Sequence, residues 1–136
     1  MTGAYRDHPI LYVHDDPRTL VVLKYILGEQ FTVCAANTLA EVLDVLEREP
    51  VAIVLCEHRM RGVAAGLEIC ARVREVRPEA ARIVTTTHEE RALAVDAVNA
   101  GHITCCVVKP WHDPDFIDLL RLHLDAYRSG TTKQGT

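Results

Sequence analysis

The sequence predicts an α/β domain with a doubly wound, five-stranded parallel sheet of strand order 2-1-3-4-5. Five short apolar or β-branched runs alternate with longer segments whose apolar residues recur at helical spacing. The short runs are apolar almost throughout, which is typical of parallel strands that helices cover on both faces. Right-handed crossover connections then join the strands.

The five strand candidates are bounded by polar or glycine-containing segments, as expected for strands that end at loops. They lie at Ile10 to Val13, Phe31 to Ala35, Val51 to Cys56, Arg82 to Thr86, and Thr104 to Val108.

The segments between the strands carry helix start and stop signals. Gly28 and Gly101 stand where two helices should end. Capping residues and prolines mark the expected helix starts. These start signals are Asp16 before Pro17, Asn37 or Thr38, and Asp113 before Pro114.

The length of 136 residues and the hydrophobic content of 49% suit one compact domain. We expect this domain to cover residues 8–128. Residues 1–7 and 129–136 are polar and lack an apolar stripe, so we expect them to be flexible ends or linker.

The net charge of −4, with no basic cluster along a helix, argues against direct binding of nucleic acid. No apolar run approaches the roughly 20 residues that span a bilayer, and the N-terminus lacks a signal-peptide pattern. We therefore expect a cytoplasmic protein without a membrane partner.

Polar side chains follow four of the predicted strands. In a doubly wound sheet, functional groups gather at the carboxyl ends of the strands. Carboxylates there can hold Mg²⁺, and a hydroxyl and a lysine can hold phosphoryl oxygens. The candidates are His14, Asp15 and Asp16 after strand one, Glu57 and His58 after strand three, Thr87 and His88 after strand four, and Lys109 after strand five.

Four sequence strings occur at these strand ends in a characteristic order: ILYVHDDP, LCEHRMRG, IVTTTH and VVKPW. Together they resemble the receiver domains of bacterial response regulators, which have a flavodoxin-like (βα)5 fold. The resemblance covers roughly residues 8–128. The run AVNAGHITCCVVKPW also resembles receivers of hydrogenase-regulating and HD-GYP-type response regulators.

The resemblance implies roles for several residues. Lys109 matches the family's invariant lysine, Thr87 its switch hydroxyl, and Asp15 with Asp16 part of its acidic cluster. Cys106 stands where an aromatic switch residue is common. The resemblance also implies a cis peptide bond between Lys109 and Pro110.

Three positions depart from the family pattern. The phosphate acceptor is normally an aspartate, and Glu57 occupies its place, which moves the carboxylate by one methylene. His14 occupies the first acidic position and supplies no carboxylate oxygen for Mg²⁺. His88 replaces a small residue beside the switch hydroxyl, where its ring could cover the phosphate entrance.

These departures favour a receiver without enzymatic activity that is not phosphorylated in the usual way, with Glu57 as a pseudo-acceptor paired to Lys109. We expect no cofactor beyond a weak or absent Mg²⁺ site at Asp15, Asp16 and Glu57. Two alternatives remain open: a phosphorylatable, Mg²⁺-dependent receiver, and a metal or ligand sensor built on His14, Glu57 and His88.

The expected partners are proteins. By ancestry they include a histidine kinase and an effector domain or protein. The fourth predicted helix, the fifth strand and the fifth predicted helix form the surface that we expect to make contacts or a homodimer.

Overall fold

A computed structural model describes residues 3–60 and 65–130 of the chain. Its sheet has five parallel strands in the order β2-β1-β3-β4-β5, which confirms the predicted fold and strand order. Within the described residues, no helix is both long and apolar enough to cross a bilayer. The strands are β1 (Ile10–Val13), β2 (Val33–Ala36), β3 (Ile53–Glu57), β4 (Ala81–Thr86) and β5 (Cys105–Val108).

Six α-helices connect and flank the strands in the described part of the chain. A 3₁₀ turn, His88–Glu90, precedes the fifth helix directly. The fourth and fifth predicted helices therefore correspond to α5 and α6. The helices are α1 (Gly3–Arg6), α2 (Pro17–Leu27), α3 (Leu39–Arg48), α4 (Gly66–Val76), α5 (Arg91–Asn99) and α6 (Asp113–Ser129).

Three strands, β2, β3 and β5, begin one or two residues later than the sequence predicts. The Phe31 amide donates to the Leu27 carbonyl, which closes the end of α2 and delays β2 until Val33. β3 begins at Ile53 and extends through Glu57, which pairs with Thr85 of β4. Glu57 is therefore the last residue of a strand rather than the first residue of a loop.

Side-chain contacts show which of the predicted capping residues cap the helices. Asp16 caps α2 by accepting a hydrogen bond from the Arg18 amide. Thr38, rather than Asn37, caps α3 by accepting from the Glu41 amide. α6 starts at Asp113 itself, with His112 in the capping position.

The described part of the N-terminal segment forms α1 and contacts the end of α2. Arg6 donates from its guanidinium to the carbonyl oxygens of Gly28 and Glu29 at the end of α2. The Tyr5 ring lies 5.8 Å from the Phe31 ring, centroid to centroid. At the other end α6 continues to Ser129, and residues 131–136 lie outside the described residues.

Side chains alternate between two apolar clusters on opposite faces of the sheet. One face packs against α3, α4 and α5 and includes Val84, with Cys106 against its edge. The other packs against α2 and α6 and includes Tyr12. By this alternation Glu57 lies on the face of Tyr12, and Thr86 lies on the face of Cys106.

Candidate functional site

The Glu57 carboxylate is the centre of the site and is largely buried, with 8% of the residue exposed. Oε1 accepts a hydrogen bond from Lys109 Nζ at 2.6 Å, and the two groups form an ion pair. Oε2 accepts from the Tyr12 hydroxyl at 2.5 Å. Both oxygens of the carboxylate are thus held by side chains of the chain itself.

Tyr12 joins Glu57 to α2, because its hydroxyl also lies 3.2 Å from Thr19 Oγ1. Burial, together with the hydrogen bond to Glu57, raises the pKa of Tyr12 well above its ordinary value. The hydroxyl therefore stays protonated and donates at neutral pH. The sequence reasoning missed Tyr12, although a tyrosine two residues before His14 on the face of Glu57 was a usable signal.

His14 is buried beside Tyr12. The two rings stack with centroids 4.9 Å apart and an interplanar angle of 11°. Its Nδ1 lies 3.0 Å from the Asp16 carbonyl oxygen and can donate to it. The imidazole at the first acidic position is therefore held by packing and the main chain.

The Asp16 carboxylate is used as the cap of α2. It accepts from the Arg18 amide at 2.9 Å and from the Arg18 guanidinium at 3.1 and 3.2 Å. These bonds from Arg18 hold the pKa of Asp16 below its usual range. Asp15, the neighbouring acidic residue, lies exposed to solvent.

The expected Mg²⁺ ligands are not grouped among the described residues. Among them no three His, Cys, Asp or Glu side chains are grouped so that they could hold a metal ion. The predicted set of Asp15, Asp16 and Glu57 is therefore not brought together, and neither is the alternative set of His14, Glu57 and His88. Glu57 instead accepts hydrogen bonds from Tyr12 and Lys109, and Asp16 accepts from Arg18.

The structure places the predicted switch residue, Thr87, in solvent directly after β4. Thr86, the last residue of β4, is 2% exposed, and its Oγ1 has no hydrogen-bond partner in the described residues. Thr86 also lies on the face of Cys106, which is partly buried. The buried hydroxyl at the strand end is thus Thr86. The TTT run alone did not indicate which threonine would end β4 with its hydroxyl buried.

A second contact links the loop after β3 to the start of α5. The Arg59 guanidinium donates to both oxygens of the Glu90 carboxylate at 2.7 Å. His58 is 2% exposed beneath this pair, with Nε2 3.8 Å from Glu90. His88 begins the 3₁₀ turn and is exposed.

A parallel sheet of order 2-1-3-4-5, with a carboxylate at the carboxyl end of β3 paired to a lysine after β5, defines the receiver class. Residues 10–121 match the family of response regulator receiver domains, and the chain belongs to this family. Receiver domains are regulatory parts of two-component systems and interact with kinases and effector domains.

Among curated proteins, the chain is 33% identical over 117 residues to the hydrogenase transcriptional regulatory protein HoxA of Cupriavidus necator. That match covers 86% of this chain but only 24% of the relative. The chain is also 36% identical over 99 residues to the transcriptional regulatory protein GlrR of Escherichia coli. This match covers 72% of this chain and 22% of the relative. The chain therefore spans about a quarter of the length of these regulators.

Among solved structures, the chain resembles the signal receiver domain of an HD domain-containing protein from Pseudomonas fluorescens. The TM-score is 0.80 at 26% identity, covering 92% of each chain. A chain described as an adenylate cyclase from Rhodopirellula baltica gives a TM-score of 0.83 at 25% identity, covering 92% of this chain and 93% of that one. Both likenesses extend over nearly the whole fold.

Proposed function

We propose that this receiver signals through protein contacts, without enzymatic activity and without the usual phosphorylation of its acceptor position. The strongest support for the proposal is the hydrogen bonding of Glu57. Both oxygens of Glu57, the residue at the acceptor position, already accept hydrogen bonds from Lys109 and Tyr12.

A carboxylate attacks a phosphoryl donor through an oxygen lone pair, with the reacting atoms about 3–3.5 Å apart. Each oxygen keeps a second lone pair, but both donors lower its nucleophilicity, so the most reactive form of Glu57 is the one that has released them. Lys109 is 40% exposed, so the low end of the range for charge-assisted bonds applies, about 1.5 kcal/mol for each bond. Releasing both costs about 3 kcal/mol, or roughly a hundredfold in the population of reactive molecules.

The described residues contain no cluster of three metal-binding side chains. This also disfavours phosphorylation, because Mg²⁺ neutralises the charge that develops on a transferring phosphoryl group. We propose that Glu57 instead acts as a permanent, partial substitute for an acyl phosphate. It carries one negative charge, against about −1.5 to −2 for a phosphoryl group. The switch is then held in one state by the pair with Lys109.

We propose that the output is a protein contact made by α5, β5 and α6. β5 is an edge strand of the sheet, and Leu93 and Val95 of α5 are 51% and 37% exposed. Exposed apolar side chains beside an edge strand favour association with a partner or a second copy. Like the relatives named above, the whole protein would then be a transcriptional regulator whose effector this domain controls.

The test is incubation of the chain with acetyl phosphate, or with beryllofluoride and Mg²⁺, followed by intact mass and amide NMR. We expect no added phosphoryl group and no shift of the amides around Glu57. The reference is the double variant His14→Asp with Glu57→Asp, in which we expect modification. Stoichiometric phosphorylation of Glu57 in the unaltered chain would refute the proposal.

A further inference from the structure

A cavity of about 380 Å³ lies beside Glu57, between α2 and the segment that follows β5. This volume falls within the range of small-molecule sites, about 300–1,000 Å³. Its apolar lining comes from Val22, Leu23 and Ile26 of α2 and from Trp111. The Trp111 ring is held in place by stacking on a ring of α6, with centroids 4.4 Å apart.

The polar lining of this cavity has spare hydrogen-bond donors. The Lys109 ammonium has three N–H groups and donates one to Glu57, which leaves two without a partner among the described residues. Arg18 uses Nε and Nη2 on Asp16, and its Nη1 has no partner within residues 3–60 and 65–130. Both side chains line the solvent-facing rim of the cavity, where Lys109 is 40% and Arg18 91% exposed.

The acceptors in the cavity are already engaged. Glu57 accepts from Tyr12 and Lys109, and Asp16 accepts from Arg18. The unpaired N–H groups of Lys109 and Arg18 favour a ligand that brings acceptors, and a carboxylate is a pure acceptor. Because two carboxylates already face the two cations, a single added negative charge is better matched to the site than a phosphate dianion.

Since the proposed function keeps Glu57 paired in place, we infer that this cavity binds a small monocarboxylate that carries an apolar ring or short chain. The carboxylate meets Lys109 and Arg18, and the apolar part packs against Val22, Ile26 and Trp111. Such a ligand joins α2 to the segment after β5. A receiver without phosphorylation thereby gains an input at the same edge of the sheet.

The first experiment titrates 2-naphthoate into the whole chain and follows amide and indole NMR signals. Trp111 is the single tryptophan, so its indole signal reports on the cavity without ambiguity. We expect saturable shifts at Trp111, Val22 and Ile26. The neutral analogue 2-naphthamide should bind at least tenfold more weakly, because it lacks the charge that Lys109 and Arg18 recognise.

Matched variants locate the binding. Val22→Glu places a carboxylate in the lining and should weaken 2-naphthoate binding at least tenfold. Val21→Glu makes the same change one residue away, at a side chain that is 69% exposed and does not line the cavity, and should leave affinity unchanged.

The inference is wrong if 2-naphthoate gives no saturable shift, if the amide binds equally well, or if both variants weaken binding alike. The acetyl phosphate experiment separates the two proposals. Phosphorylated Glu57 overturns the proposed function whatever 2-naphthoate does, whereas inert Glu57 without naphthoate binding overturns this inference alone.

Discussion

At the scale of single residues, the site depends on Tyr12, whose hydroxyl completes the hydrogen bonding of the Glu57 carboxylate. The Tyr12 hydroxyl takes the Glu57 oxygen that Lys109 leaves open. The extra methylene of glutamate and the tyrosine hydroxyl therefore act together. The pairing of Glu57 with Lys109 was expected from the sequence, whereas Tyr12 was missed because ILYV by itself indicates only a buried strand.

The variant Tyr12→Phe tests this role directly. It removes one hydroxyl, keeps the ring, and leaves a largely buried carboxylate oxygen without its donor. We expect a loss of about 1–3 kcal/mol in the free energy of unfolding, measured by urea denaturation. Tyr25→Phe is the matched control, since Tyr25 is 88% exposed and should change stability little. Equal stability of the Tyr12→Phe and unaltered chains would show that the hydrogen bond is unimportant.

At the scale of elements, the sequence predicted most of the architecture because each strand and cap has a local signal. β1 has the predicted bounds, and Asp16 before Pro17 opens α2 as expected. The missed features depend on distant contacts. α1 is stabilised by the end of α2, and the difference between Thr86 and Thr87 depends on how β4 pairs with its neighbours.

The Arg59–Glu90 pair is such a distant contact between two elements. Arg59→Ala should free the start of α5 and raise amide exchange there about two- to fivefold, as expected when an exposed ion pair that links two elements is lost. Hydrogen-exchange mass spectrometry of α5 measures this. Arg72→Ala is the control, because Arg72 has the same 50% exposure but pairs with Glu75 within α4. Unchanged exchange in the Arg59 variant would contradict the link.

At the scale of the whole molecule, two apolar clusters on opposite faces of one sheet are joined at its carboxyl edge by the polar site. The fully buried Arg82 holds the opposite end of β4, where its guanidinium donates to the carbonyl oxygens of Ala80 and His102. Burial lowers the pKa of Arg82. The sequence indicated both clusters through periodicity, but it gave no sign that an arginine would be enclosed.

Alkaline pH should destabilise the whole molecule through Tyr12. Its pKa is raised in the folded protein, so the unfolded chain loses this proton at lower pH than the folded protein does. The contribution to stability is complete below about pH 10 and falls as the pH rises above that value. Urea midpoints at about pH 8 and pH 11 measure the loss. Tyr12→Phe should show a smaller loss, and an identical one would exclude Tyr12 as the cause.

The packing of α1 brings the two ends of the described chain together. Tyr5 lies 3.4 Å from Asp125 of α6, hydroxyl to carboxylate oxygen, and the rings of His8 and Tyr127 are 5.2 Å apart. Ends this close can be joined by a short peptide, and new ends can be opened in an exposed loop. The domain is thus a suitable scaffold for circular permutation, in which fluorescent proteins fused to the new ends would report binding at the cavity.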